Sequence, residues 1–175
     1  FKGCESSGYY GDSWFHRRYY GFSRSIIMLS STNLRDWLFL ERIVRFGDTD
    51  AAGVIHFYHL LRWSHEAWEE SLQVFGLKAI DIFPSLVDIK SLIPIALPIV
   101  HCEAEFMAPI RIEDHLEIEV SPSRLDAGSF QVKYGFTKGK NIVANSLIRH
   151  RAIHTESRHP CDLPEDIDRW LDASS

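Results

Sequence analysis

The sequence predicts an α+β domain, and three observations carry that prediction. A single long amphipathic helical pattern occupies residues 54–75. One strand pattern precedes it and four follow, most with a clean polar face, as in an antiparallel sheet covered on one side only. The 175 residues show no internal repeat and suit one domain with a real core.

The first 27 residues do not read like the rest. Gly, Ser, Tyr and Arg alternate there without helical or strand period, and Met28 is the first methionine. No charged start leads into an apolar run and a small-residue cleavage site, the pattern of a secretion signal. The expectation is that Met28 is the natural start. Residues 1–27 are then a disordered or non-native extension, and 28–175 form the domain.

Residues 38–46 read as the first strand. Leu38, Leu40, Val44 and Phe46 share one face, broken by Arg42, and Phe39, Glu41, Ile43 and Arg45 take the other. Over 54–75 an apolar stripe of Phe57, Leu60, Leu61, Ser64, Trp68, Leu72 and Phe75 opposes His59, Arg62, Glu66, Glu69, Glu70 and Gln73. Gly76 is placed as the C-terminal cap. Residues 77–98 hold Pro84, Pro94 and Pro98, so no regular element is expected to run through them. Strand patterns follow at 99–106, 116–120, 130–136 and 142–154, punctuated by Pro109, Asp114, Pro122, Asp126-Ala127-Gly128 and the turn at 138–141. A short helix docking by Trp170 closes the chain, with Ile167 and Leu171 at helical spacing.

Composition excludes several functions. With 19 basic and 24 acidic residues the net charge is −5, which does not suit a nucleic-acid surface. No apolar run approaches the ~20 residues of a membrane-spanning helix. Three cysteines at unrelated spacings fit neither a zinc site nor a disulfide frame, and they suit a reducing, cytoplasmic setting. No serine-nucleophile elbow, phosphate loop or dinucleotide fingerprint is present, and no metal or cofactor is expected.

The chemistry gathers at Arg45-Phe46-Gly47-Asp48-Thr49-Asp50-Ala51-Ala52-Gly53-Val54-Ile55-His56-Phe57. Two carboxylates at a strand-to-helix junction serve as helix caps or as catalysts, and spacing alone favours caps. This stretch resembles the signature of the 4-hydroxybenzoyl-CoA thioesterase family of hotdog-fold proteins. Within it, the likeness is greatest to the 1,4-dihydroxy-2-naphthoyl-CoA hydrolases of cyanobacterial type. His65-Glu66-Ala67-Trp68-Glu69 and the Ala-Leu-Pro-x-Val-His run from Ala96 to His101 recur there in the same order.

The resemblance implies an antiparallel sheet of about five strands around one helix, paired into dimers or dimers of dimers. It implies hydrolysis of an aromatic acyl-CoA, on the route to phylloquinone or menaquinone. Asp50 would be the catalytic carboxylate, as nucleophile or as general base. The Phe57 amide would be the oxyanion donor, and Asp48 a loop-holding residue. Gly53, Val54 and His56 would meet the acyl group, with His56 placed to hydrogen-bond a ring hydroxyl. Arg149 and Arg151, helped by Lys138 and Lys140, would meet the CoA phosphates. The rival readings are a thioesterase for 4-hydroxybenzoyl or short aliphatic esters, and a non-catalytic acyl-CoA-binding module. His59 and His65 are expected on a solvated helix face.

Overall fold

A computed structural model describes residues 35–83 and 94–175. The expectations for residues 1–27 and for a start at Met28 lie outside the described residues, as does the middle of the 77–98 connection. The elements in chain order are β1 (Phe39–Ile43), α1 (Tyr58–Phe75), α2 (Ala79–Ile82), β2 (Ile95–Ala96), β3 (Ile99–Phe106), β4 (His115–Asp126), β5 (Ser129–Lys138), β6 (Asn141–Arg151), β7 (Ile153–His154) and α3 (Glu165–Ser174). Five strands form one antiparallel sheet in the order β1-β4-β5-β6-β3, and β2 pairs with β7 beside it.

The inner face of that sheet is the alternation read from the sequence. Leu116, Ile118 and Val120 of β4, Phe130, Val132, Tyr134 and Phe136 of β5, and Ala144, Ile148 and His150 of β6 are all buried. Arg42 interrupts the inner face of β1 for a reason: its guanidinium reaches Glu70 on α1 with two bonds, of 3.1 and 2.5 Å. Phe46 does not continue that face. It lies in a short 3-10 turn and is exposed.

Helix α1 crosses the inner face on a stripe rotated from the expected one. Its buried residues are His59, Leu60, Trp63, Ser64, Ala67, Trp68, Ser71 and Leu72. Small side chains sit at the contact, and the Ser64 and Ser146 hydroxyls meet at 2.6 Å. A wider residue at either position would push helix and sheet apart. His59 is therefore buried rather than solvated, and Phe57 is exposed rather than on the stripe. Helix α3 closes the far end of the core, with Trp170 fully buried and its indole N–H donating to Ser71 Oγ at 3.1 Å.

Strand β3 departs most from expectation. All eight of its residues are exposed, including Val100, Ala104 and Phe106 on the side facing α1. Among the described residues it is an edge strand, hydrogen-bonded on one side only, to β6.

His150 is fully buried between the rings of Trp68 (4.3 Å between centroids) and Phe130 (4.9 Å), and it bonds the Leu97 carbonyl through Nδ1 at 3.0 Å. Burial pushes its pKa down to about 4, against the Leu97 bond, which favours the charged ring, and with His65 nearby adding to the fall. The folded pKa lies below the unfolded value, ~6.5, so the unfolded chain takes up the proton first. The contribution is complete above about pH 6.5 and is lost as pH falls toward 4. Urea unfolding should show a stability loss of about 2 kcal/mol between pH 7 and pH 5 that His150→Phe removes. The same loss in both proteins would place its origin elsewhere.

Candidate active site

The stretch 45–57 is not the start of the helix. Residues 49–55 form a small hairpin instead. Thr49 and Ile55 make an isolated antiparallel bridge. Asp50 N–H donates to Val54 C=O (2.9 Å), and Gly53 N–H donates to Asp50 C=O (3.0 Å). Gly53 closes the turn at φ +74°, where a β-carbon is strained, and it stands outside the cavity lining. Two longer links fix the hairpin: Ile55 N–H to Ile110 C=O, and His56 N–H to Asp48 C=O, each 2.9 Å. These bonds hold residues 54–56 extended, and α1 begins at Tyr58.

Neither acid caps α1. Asp48 Oδ2 accepts the Arg45 N–H at 2.7 Å and so holds the 3-10 turn. Asp50 Oδ1 accepts the Ala52 N–H at 2.8 Å within its own turn. Its other oxygen, Oδ2, has no partner among the described residues. The N-cap of α1 is Phe57, with no side-chain cap; the His59 N–H is taken by His56 C=O at 3.0 Å, whereas the Phe57 amide has no backbone partner among the described residues and keeps its donor capacity near the positive end of the helix dipole.

Asp50 and Phe57 line the same cavity, of about 470 Å³. Val54, Ile55 and His56 form one wall, and residues 106–110, from the end of β3 onward, form the other. Asp50 and His56 are the only lining side chains with a strong hydrogen-bonding group. His56 Nδ1 is shut from solvent and has no partner, and its ring packs between Phe57 and Tyr58. Phe57, Phe106 and Met107 at the rim are exposed. The cavity is thus mostly apolar, with the Asp50 carboxylate, His56 and the N-cap residue Phe57 in its lining.

The basic residues lie elsewhere. Arg149 sits opposite His101, five strand positions from Phe106, or roughly 16 Å along the sheet. It bonds Gln131 Oε1 at 3.2 Å, and Arg151 pairs with Asp126 at 3.0 Å. Lys138 is held by Asp114 at 2.5 Å. Within one protomer none of these meets the cavity lining.

The other motifs that carry the resemblance lie outside the cavity lining. His65 pairs with Glu69 at 2.9 Å, and Glu66 with Arg62 at 2.7 Å. The run from Ala96 supplies the Leu97 carbonyl to His150. The residue that sequence reasoning missed is His59, buried beside Asp48. Its neighbours Trp63, Ser64 and Ala67, at helix-contact spacing, were the available signal. Among the described residues no cluster of His, Cys, Asp and Glu could hold a metal ion.

Comparison with known proteins agrees with this geometry. Residues 44–171 match the thioesterase-like superfamily. The chain is 60% identical over 147 residues to a 1,4-dihydroxy-2-naphthoyl-CoA hydrolase of Prochlorococcus marinus, covering 84% of this chain and 95% of that one. A crystal structure of a putative thioesterase from Prochlorococcus marinus str. MIT 9313 superposes with a TM-score of 0.78 at 53% identity, over 82% of this chain and 99% of that one. A 1,4-dihydroxy-2-naphthoyl-CoA thioesterase from Synechocystis follows with a TM-score of 0.68 at 29% identity, over 77% and 95%. With a hotdog sheet around α1, and Asp50 at a cavity beside uncapped helix amides, the chain belongs to the thioesterase-like superfamily.

Proposed function

We propose that the protein hydrolyses the thioester of an aromatic acyl-CoA, with 1,4-dihydroxy-2-naphthoyl-CoA as substrate and the free naphthoate and CoA as products. One observation carries the reading: Asp50 and Phe57, the N-cap residue of α1, line the same largely apolar cavity. The names of the 60%-identical relative and of the Synechocystis structure support the acyl group.

The thioester carbonyl enters with its oxygen toward the Phe57 amide. That donor stabilises the negative charge that forms on oxygen during attack. Asp50 either removes a proton from the attacking water or attacks the carbonyl itself, forming an anhydride that water then cleaves. Both routes end alike: the C–S bond breaks, the thiolate leaves and takes a proton, and the acyl group is released as its carboxylic acid with Asp50 returned to the free carboxylate. The CoA role of Arg149 and Arg151 requires the phosphates to lie along the β3–β6 pair, with Asp126 yielding Arg151.

The exposed edge of β3 supports a paired protomer that would add a further wall beside the Phe106 rim of the cavity. Sedimentation at micromolar concentration should give a dimer or a multiple of it, and a monomer there would remove that wall. Asp50→Asn should keep acyl-CoA binding and lose roughly 10³-fold or more in kcat. Equal turnover in both proteins would take Asp50 out of the mechanism. His56→Phe should lower kcat/KM about tenfold for the dihydroxynaphthoyl ester and leave 2-naphthoyl-CoA, which lacks the hydroxyls, unchanged. An equal effect on both esters would end the hydroxyl-reading role.

A further inference from the structure

His59 is a buried imidazole that the reaction as described leaves unused. It is 2% exposed, and neither ring nitrogen has a hydrogen-bond partner. Its Nδ1 stands 3.6 Å from Asp48 Oδ1, too far for a bond but with no other partner for either atom among the described residues. Tyr58 and Trp63 hold the ring, at 4.1 and 5.6 Å between centroids. A buried orphan of this kind is costly, and a hydrophobic side chain would fill the space without that cost.

The surrounding bonds give it a task. Asp48 C=O accepts His56 N–H at 2.9 Å, and His56 C=O accepts His59 N–H at 3.0 Å. A bond from His59 Nδ1–H to the Asp48 carboxylate would close these two links into a ring joining residues 48, 56 and 59. Asp50 lies two residues beyond one corner, and Phe57 adjoins the next. The ring therefore sets the separation between the carboxylate and the oxyanion amide, which must meet the same thioester. Bonds in catalytic sites are often long without ligand and tighten when it binds. Closing this one needs a movement of under about 1 Å to reach ordinary bond length.

We propose that His59 is a positioning residue: with a proton on Nδ1 it clasps Asp48 and fixes Asp50 against the Phe57 amide for attack. The inference rests on the thioesterase reading for its kinetic consequence and on the backbone geometry alone for its structural one.

The test compares His59→Asn, His59→Gln and His59→Leu in the full-length protein. The Asn amide nitrogen falls near the place of Nδ1, the Gln amide reaches toward Nε2, and Leu fills the space without a donor. On dihydroxynaphthoyl-CoA, the Leu and Gln variants should lose about 10–100-fold in kcat, with KM within about threefold. The Asn variant should recover to within about threefold of wild type. In parallel, hydrogen exchange of the His56 amide should quicken in Leu and Gln but not in Asn. Equal kcat in Asn and Gln, or loss in KM alone, would overturn the positioning role. If the Leu variant does not fold, the Asn–Gln comparison still decides. If the wild type shows no thioesterase turnover, the functional reading fails by itself, and the exchange rates alone uphold or overturn the ring.

Discussion

Two backbone hydrogen bonds shape the candidate site of this protein. Asp48 C=O to His56 N–H, and Ile110 C=O to Ile55 N–H, hold an extended hairpin where an uninterrupted helix would otherwise begin. Had the helix run from residue 54, the acids would have satisfied its first amides, as caps do. Because it starts four residues later, the hairpin carries the Asp50 carboxylate to one side of the cavity. Phe57, the N-cap of α1, lines the same space. Asp50 and the Phe57 amide are held apart because the backbone between them is paired elsewhere.

That arrangement needs a rigid platform, and the contact of α1 with the sheet supplies it. Ser64, Ala67 and Ser71 present little bulk, so the helix axis lies close to β6, while Leu60, Trp63, Trp68 and Leu72 flank the contact and fill the space to either side. The Ser64–Ser146 bond and the Trp170–Ser71 bond pin the helix at two heights along its length. The hydroxyls also satisfy one another in a dry interface, where each would be costly alone. The first turn of α1 is thereby fixed relative to residues 106–110, the opposite wall of the slot.

How much of this was legible in the sequence follows from what each pattern encodes. Strand β5 was clear because Phe130, Val132, Tyr134 and Phe136 face a covered side and Gln131 and Lys133 do not, so period two survives. The helix was recognised, yet its stripe was read one step round. Large apolar residues draw the eye, whereas the closest contact uses Ser and Ala, which hydropathy ranks as neutral. That rotation put Phe57 inside and His59 outside, the reverse of the structure. The start of the helix was misjudged because the bonds that delay it come from Asp48 and Ile110, and the latter is more than fifty residues away in sequence. Arg149 and Arg151 read as a basic cluster in the sequence, but strand register, which sequence does not print, sets them far from Phe106.

Strand β3 poses the remaining physical problem. Its inward side carries Val100, Cys102, Ala104 and Phe106, and its outward side carries His101, Glu103 and Glu105, all exposed. An edge of eight residues with open N–H and C=O groups is a template for pairing, and isolated proteins usually shorten, bulge or charge such an edge. Glu103 and Glu105 charge one face only. The apolar face runs on into Phe106 and Met107, the rim of the cavity. A cover that satisfied the backbone edge and the apolar face together would also close the slot, so assembly and substrate enclosure become one requirement. An antiparallel mate at this edge would satisfy its N–H and C=O groups and set apolar face beside apolar face, while cover for the face itself would have to come from above the plane of the sheet.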